Sequence, residues 1–182
     1  MKTKLDSYNN SNYKPGNPIK RILWYFANII FIKNYLNPFS SIKIIVLRIF
    51  GARIGRNVII KPGVNIKYPW KLIVGNNVWI GEKVWIDNLA LITINNNVCI
   101  SQEAMLICGN HNYKKSSFDL ITKNIVIKEG VWIGAKAIIC PGVVCNSHSV
   151  LTIGSIATDN LNEYTIYSGN PASEVKKRII ES

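Results

Sequence analysis

The chain has 182 residues, of which 48% are hydrophobic and 18% charged, with a formal charge of +12. That balance excludes a disordered or low-complexity chain, which cannot bury enough apolar surface to offset its ordering entropy, and it predicts one domain with terminal extensions. Four cysteines without a Cys-x-x-Cys pair exclude a small disulfide-stapled fold, and no apolar run reaches the length of a membrane-spanning helix.

The first stretch, residues 1–17, is polar and lacks the apolar heart of a secretory signal, so a cytoplasmic location is expected. Residues 1–56 hold ten basic residues and one acid, Asp6. An excess of this kind favours polyanions: nucleic acid, anionic lipid or phosphate-bearing small molecules. No helix-turn-helix, zinc-finger or RNA-binding signature accompanies it, which places nucleic acid last. Within a 1–50 extension, residues 22–32 are almost wholly apolar and flanked by Lys20, Arg21 and Lys33. They predict a helix with two open roles. It caps the end of the structure that follows, or residues 20–33 lie on anionic lipid at the inner face of the membrane.

From residue 51 to 157 aliphatic residues recur every sixth position. The series runs Ile54, Ile60, Ile66; Val74, Ile80, Ile86; Ile94, Ile100, Leu106; then Ile127, Ile133, Ile139, Cys145, Leu151 and Ala157. Small or branched residues stand four positions after most of them. Each hexamer reads as a short strand, whose alternate side chains point to opposite sides, and a corner whose Gly, Asn or Asp tolerates turn geometry. Three hexamers make one coil, and about five stacked coils bury a continuous apolar column. The sixfold spacing breaks after Ile66, Ile86 and Leu106, and the last break releases a polar loop over residues 109–124. Loops on a rigid scaffold commonly carry chemistry. Residues 158–182 are expected to form a loop and a short helix ending in Lys176-Lys177-Arg178.

These repeats, the Gly109-Asn110-His111-Asn112-Tyr113 loop, Val131-Trp132-Ile133-Gly134 and the closing Ser168-Gly169-Asn170-Pro171-Ala172 resemble the hexapeptide-repeat acyltransferases. Trp85-Ile86-Asp87-Asn88-Leu89-Ala90, Cys99-Ile100-Ser101-Gln102 and Ser117-Phe118-Asp119-Leu120-Ile121-Thr122-Lys123 resemble the colanic acid biosynthesis acetyltransferase group within them, as does Leu47-Arg48-Ile49-Phe50-Gly51-Ala52-Arg53-Ile54-Gly55. The resemblance implies an all-β left-handed parallel β-helix, a homotrimer with active sites between subunits, and transfer of an acetyl group from acetyl-CoA to a sugar hydroxyl in surface-glycan biosynthesis, with no metal.

Acyl transfer to a hydroxyl needs a base, and imidazole suits the task at neutral pH. Only His111 and His148 are available. His111 matches the family's loop histidine and takes the role of general base, whereas His148 falls in a regular corner and reads as a solvated residue. The resemblance further places Asn88 against the acceptor, where the residue alone reads equally as an ordinary corner asparagine; Asp87 is a further candidate, orienting His111 or the sugar, with Tyr113 beside them in the loop. It assigns the Ala135 amide to the oxyanion, a role indifferent to the side chain. Gly134 is expected to let a ligand approach the backbone, and Trp132, Ile153, Gly154 and Thr158 to contact coenzyme A. The family often carries Lys after that Thr; here Asp159 stands there, so Lys176 or its neighbours would meet the coenzyme phosphates.

Trp79, Trp85 and Trp132 each precede an inward aliphatic and so face outward, towards a ligand for Trp132 and under a neighbouring subunit or the terminal cap for the other two. A Cys108 nucleophile has no activating group in view. A zinc carbonic anhydrase on the same scaffold would need three histidines where the chain has two. A non-enzymatic trimeric scaffold, docked on membrane during polysaccharide assembly, is the alternative function.

Overall fold

The hexamers wind a three-sided column in the computed structural model, which describes residues 2–181. Face A stacks Arg53–Ile54, Leu72–Val74, Ile92–Ile94, Ile125–Ile127 and Val144–Cys145. Face B stacks Ile59–Ile60, Trp79–Ile80, Cys99–Ile100, Trp132–Ile133 and Val150–Leu151, and face C stacks Asn65–Ile66, Trp85–Asp87, Met105–Ile107, Ile138–Ile139 and Ile156–Ala157. These strands are parallel, and the sixfold residues lie in register: Ile60 beside Ile80, Ile80 beside Ile100, Ile100 beside Ile133. Every member of the series is buried, as are Val58, Val64, Val78, Val84, Val98, Ala104, Val131, Ala137, Val143, Ser149 and Ser155 four positions on. Five complete coils result, with one continuous apolar core.

The corners follow one pattern. In Gly134-Ala135-Lys136-Ala137 the last N–H donates to the first carbonyl at 3.2 Å, and the third residue has positive φ, which is the signature of a type II turn. Asn57, Asn77 and Asn97 hold that third position at the corner between faces A and B, and their side-chain amides donate upward from Asn57 to Asn77 to Asn97. Asparagine there both tolerates the left-handed backbone and ties neighbouring coils.

A parallel stack leaves its first strands unpaired, and two helices close them. Asn17 caps α1 (Pro18–Ala27) through its side-chain oxygen, which accepts from Lys20 N–H; a π turn at Asn28–Ile32 extends the helix. Trp24 buries its ring and donates its indole N–H to Ile66 O on face C at 2.9 Å. The capping role foreseen for this segment is therefore realised. A second helix, α2 (Ser40–Ile49), was not foreseen. The Ser40 hydroxyl accepts from Ile60 N–H, Lys43 donates its ammonium to Ile60 O at 3.0 Å on face B, and Arg48 donates to Ile54 O and Gly55 O on face A. At the other end Thr165–Gly169 adds to face B and pairs antiparallel with Ala172–Lys177. The expected C-terminal helix is thus replaced by a hairpin, because the open edge of face B supplies partners that an isolated short helix would forgo.

Burial pushes the Cys145 thiol up to about 12 and the Cys108 thiol up to about 11. A raised folded-state value means that stability is complete below the unfolded thiol value, near 9, and falls as pH climbs from there towards the folded value. Each thiol then costs about 1.4 kcal/mol per pH unit. Cys145→Val, which keeps an apolar side chain in the column, should remove one such contribution from the decline. Urea unfolding of both proteins between about pH 8 and 10.5 measures it.

Candidate active site

All three breaks in the sixfold spacing fall on one corner, between faces C and A, where residues 67–71, 88–91 and 108–124 stack on successive coils. Asn88 holds this corner together. Its side chain is fully buried; Oδ1 accepts from Tyr68 N–H at 2.9 Å, and Nδ2 donates to Tyr68 O at 2.6 Å and Lys71 O at 3.0 Å. With both its N–H groups committed to backbone carbonyls, the buried amide holds the framework of the corner where a contact to the acceptor was expected. Above it Lys71 Nζ and Tyr13 Oη both donate to Leu89 O, at 2.6 and 2.8 Å. Burial lowers the Lys71 pKa and raises that of Tyr13.

The polar loop is an antiparallel hairpin of Gly109–His111 and Leu120–Thr122, with His111 opposite Leu120. His111 Nδ1 lies 2.8 Å from Phe118 O. A carbonyl only accepts, so Nδ1 carries the proton in the neutral ring and Nε2 keeps the free lone pair, the arrangement a base requires. Phe118 has φ 51°, a conformation that aims its carbonyl back at the imidazole, and its ring stacks on His111 at 4.4 Å with planes 5° apart. The Tyr8 ring lies 6.0 Å from the imidazole, tilted by 53°, and Lys4 N–H donates to Ser116 O, fastening residues 4–8 to the hairpin. Neither Phe118 nor Tyr8 was singled out from sequence, although Phe118 lies in a motif that carried the resemblance. Tyr113 stands exposed at the hairpin tip.

Asp87 ends a face C strand at the root of this hairpin. Its Oδ1 is 3.1 Å from Lys67 Nζ without hydrogen-bond alignment, and it borders a cavity of about 620 Å³ between α1 and face C, together with Trp85, Tyr68 and Lys67. A Cβ on Gly109 would lie 3.9 Å from the other Asp87 oxygen, and His111 shares that side of its strand with Gly109. Asp87 and His111 therefore look onto the same side of the corner.

The remaining residues gather elsewhere. Gly134, Ala135, Ile153 and Gly154 lie on the corner between faces B and C. Among the described residues the Ala135 N–H has no acceptor, while its carbonyl accepts from Gly154 N–H at 2.8 Å. Pro62 occupies the equivalent position two coils below the Gln102 corner that underlies Ala135, so the turn does not use this N–H. Gly134 is required by the fold itself: a Cβ there would sit 2.6 Å from Ile153 N on the next coil. Trp132 projects from face B, half exposed, its indole N–H donating to Ser101 Oγ at 2.9 Å. Lys176 lies opposite Ile166, in the row that continues Trp132 and Val150 along face B. Thr158 departs from this group. It stands at the corner between faces C and A, donating to Asp159 at 3.0 Å.

Trp79 and Trp85 are outward as expected, and Trp85 borders the cavity beneath α1. His148 is not simply solvated: it stacks on Tyr164 at 4.7 Å and covers Gly130, where any Cβ would collide with its ring. Cys108 is buried with its thiol held protonated, the opposite of an activated nucleophile. Among the described residues no three His, Cys, Asp or Glu side chains cluster as metal ligands.

No family model matches the chain. It is 33% identical, over 92% of either chain, to the Escherichia coli K12 protein assigned to colanic acid biosynthesis as acetyltransferase WcaF. Its structure superimposes on the hexapeptide-repeat acetyltransferase VCA0836 from Vibrio cholerae, solved with acetyl coenzyme A, with a TM-score of 0.82, 19% identity and coverage of 96% and 97% of the two chains. Galactoside acetyltransferase in complex with coenzyme A gives a TM-score of 0.80 at 23% identity, over 92% and 84%. The fold is thus the left-handed parallel β-helix.

Asn88→Ala strips Tyr68 and Lys71 of buried partners and should lower unfolding free energy by about 2–4 kcal/mol. Denaturant melts read this directly. A variant with unchanged stability and impaired turnover would return Asn88 to the acceptor.

Proposed function

The chain belongs to the hexapeptide-repeat acetyltransferases, and within that family we propose that it moves the acetyl group of acetyl-CoA onto a hydroxyl of a sugar destined for a surface polysaccharide. Family membership makes it an acetyltransferase. The observation that carries the rest is the 2.8 Å approach of His111 Nδ1 to Phe118 O, which favours the proton on Nδ1 and leaves Nε2 free to take one.

In the proposed reaction Nε2 removes the proton of the acceptor hydroxyl as its oxygen attacks the thioester carbonyl. The oxyanion of the tetrahedral intermediate accepts from the unengaged Ala135 N–H, a preorganised donor that no longer has to be turned or dried. Collapse breaks the carbon–sulfur bond, and the departing thiolate takes the proton from the imidazolium. Free coenzyme A and an O-acetyl ester result, and His111 returns to its starting state. No covalent enzyme intermediate is needed. Asp87, facing the cavity at the hairpin root, orients the acceptor, with Tyr113 at its outer edge.

His111 and Ala135 leave the column at different corners, separated by face C. A homotrimer reconciles them by setting the hairpin corner of one subunit against the corner between faces B and C of the next. The pantetheine arm then runs along Ala135, Ile153 and Gly154 beside Trp132, and Lys176 meets the phosphates. Asp159 adds a negative charge beside Thr158, which supports Lys176 as the phosphate partner.

Thiol release from acetyl-CoA in the presence of sugar acceptors tests the proposal. His111→Ala should reduce turnover by about 10²–10⁴-fold; wild-type turnover in this variant refutes the base. Ala135→Pro deletes a single N–H at a position whose counterpart is already Pro62, so the thermal midpoint should hold while kcat drops about 10²–10³-fold. Thermal melts beside the kinetic assay separate the two effects. An unchanged kcat places the oxyanion elsewhere.

A further inference from the structure

We propose that the closed end of the column, the outer face of α1 and α2, is a docking surface for an anionic lipid bilayer. Helix α2 buries Lys43 and Leu47 against the column and still carries apolar side chains on its outer side. Its Lys43 is 0% exposed, while Ile42, Ile45 and Ile49 are 41%, 57% and 72% exposed. The inward lysine is explained by its bond to Ile60 O, which closes the first strand of face B. The outward isoleucines are not explained by anything inside the chain. A helix facing water would place polar residues there.

The same holds for α1. Trp24 and Asn28 face the column, and Leu23, Phe26 and Ile30 form an exposed stripe on the far side at helical spacing. The helices lie across the first strands of all three faces, so their outer sides together form the base of the column. An exposed apolar surface of this extent marks an interaction site.

Charge decides the occupant. Residues 18–56 contain no acid; Lys20 lies over the Trp70 ring, and Arg21 and Lys33, both exposed, stand beside the apolar stripe at the mouth of the cavity under α1. A second copy docked base to base would bring two basic rims together. A bilayer carrying anionic headgroups neutralises the rim and takes the apolar side chains into the headgroup boundary. Among the described residues no helix is long and apolar enough to cross a membrane, so the chain lies on the surface.

The test is co-sedimentation of the full chain with vesicles of phosphatidylcholine alone or with about one third phosphatidylglycerol. Wild type should pellet with the anionic vesicles, retain little affinity for the neutral ones, and be released by salt. Reversing two cations, Arg21→Glu with Lys33→Glu, should lower partitioning at least about 25-fold, since each cation contributes about fivefold. Ile45→Ser with Ile49→Ser should weaken it comparably while the unfolding midpoint stays at the wild-type value, as both side chains already face outward. Equal binding to both vesicle types, no binding at all, or variants that bind like wild type would overturn the proposal. So would a doubled assembly mass in light scattering that the serine variants halve, which would make a second copy the occupant. Acetyl transfer plays no part in this readout, so its outcome is independent of the catalytic proposal.

Discussion

A parallel ladder must end somewhere, and its last strands present amides and carbonyls that cost free energy if they are buried without partners. In this chain that requirement shapes both ends of the column. At the top a strand folds back antiparallel along face B. At the base Trp24, Ser40, Lys43 and Arg48 each reach the backbone of a first strand. A lysine ammonium is expensive to bury, and its lowered pKa reflects that desolvation. It is tolerated because a carbonyl on the strand edge receives it. Satisfying the edge with α2 in this orientation is what sends three isoleucines outward.

Irregularity is concentrated as strictly as regularity. Two corners of the column repeat with little change, while the third carries every break in spacing. Asn88 locks the lower two loops of that corner by three hydrogen bonds, and the third loop emerges above them as a hairpin with a defined register. His111 is therefore held at the end of a short strand, stacked on Phe118 and tied at Nδ1, and is not carried on a free loop. The rigid column beneath supplies the positional precision that proton transfer needs.

How far this was legible from sequence depended on range. The column was readable because a sixfold period leaves a mark in every coil, and each of its predicted inward residues is buried. The extruded hairpin was readable because a polar stretch interrupts that period. Interactions that join distant segments left no such mark. Nothing periodic announces that Tyr8 would approach His111, that Phe118 would adopt a left-handed backbone, or that Asn88 would spend its amide on Tyr68 and Lys71. Gly134 was singled out for a close approach, and the backbone of the next coil makes one. The C-terminal strand looked helical because its six residues carry no strand alternation; a vacant sheet edge overrode local preference. α2 escaped notice because it is apolar on both sides, with Lys43 buried beside Leu47 and isoleucines outward, which blurs the pattern by which amphipathic helices are found.

The placement of the hairpin between the third and fourth coils has a consequence for how such a chain can vary. Contacts in the column run only between adjacent coils, so a coil added beyond the fifth would lengthen the molecule without shifting the imidazole relative to the corner amides nearest to it. A duplication between the hairpin and Ala135 would instead displace one partner by a whole rung, roughly 4.8 Å. Length is therefore free to drift at the distal tip and fixed in the middle, and indels among relatives should cluster accordingly.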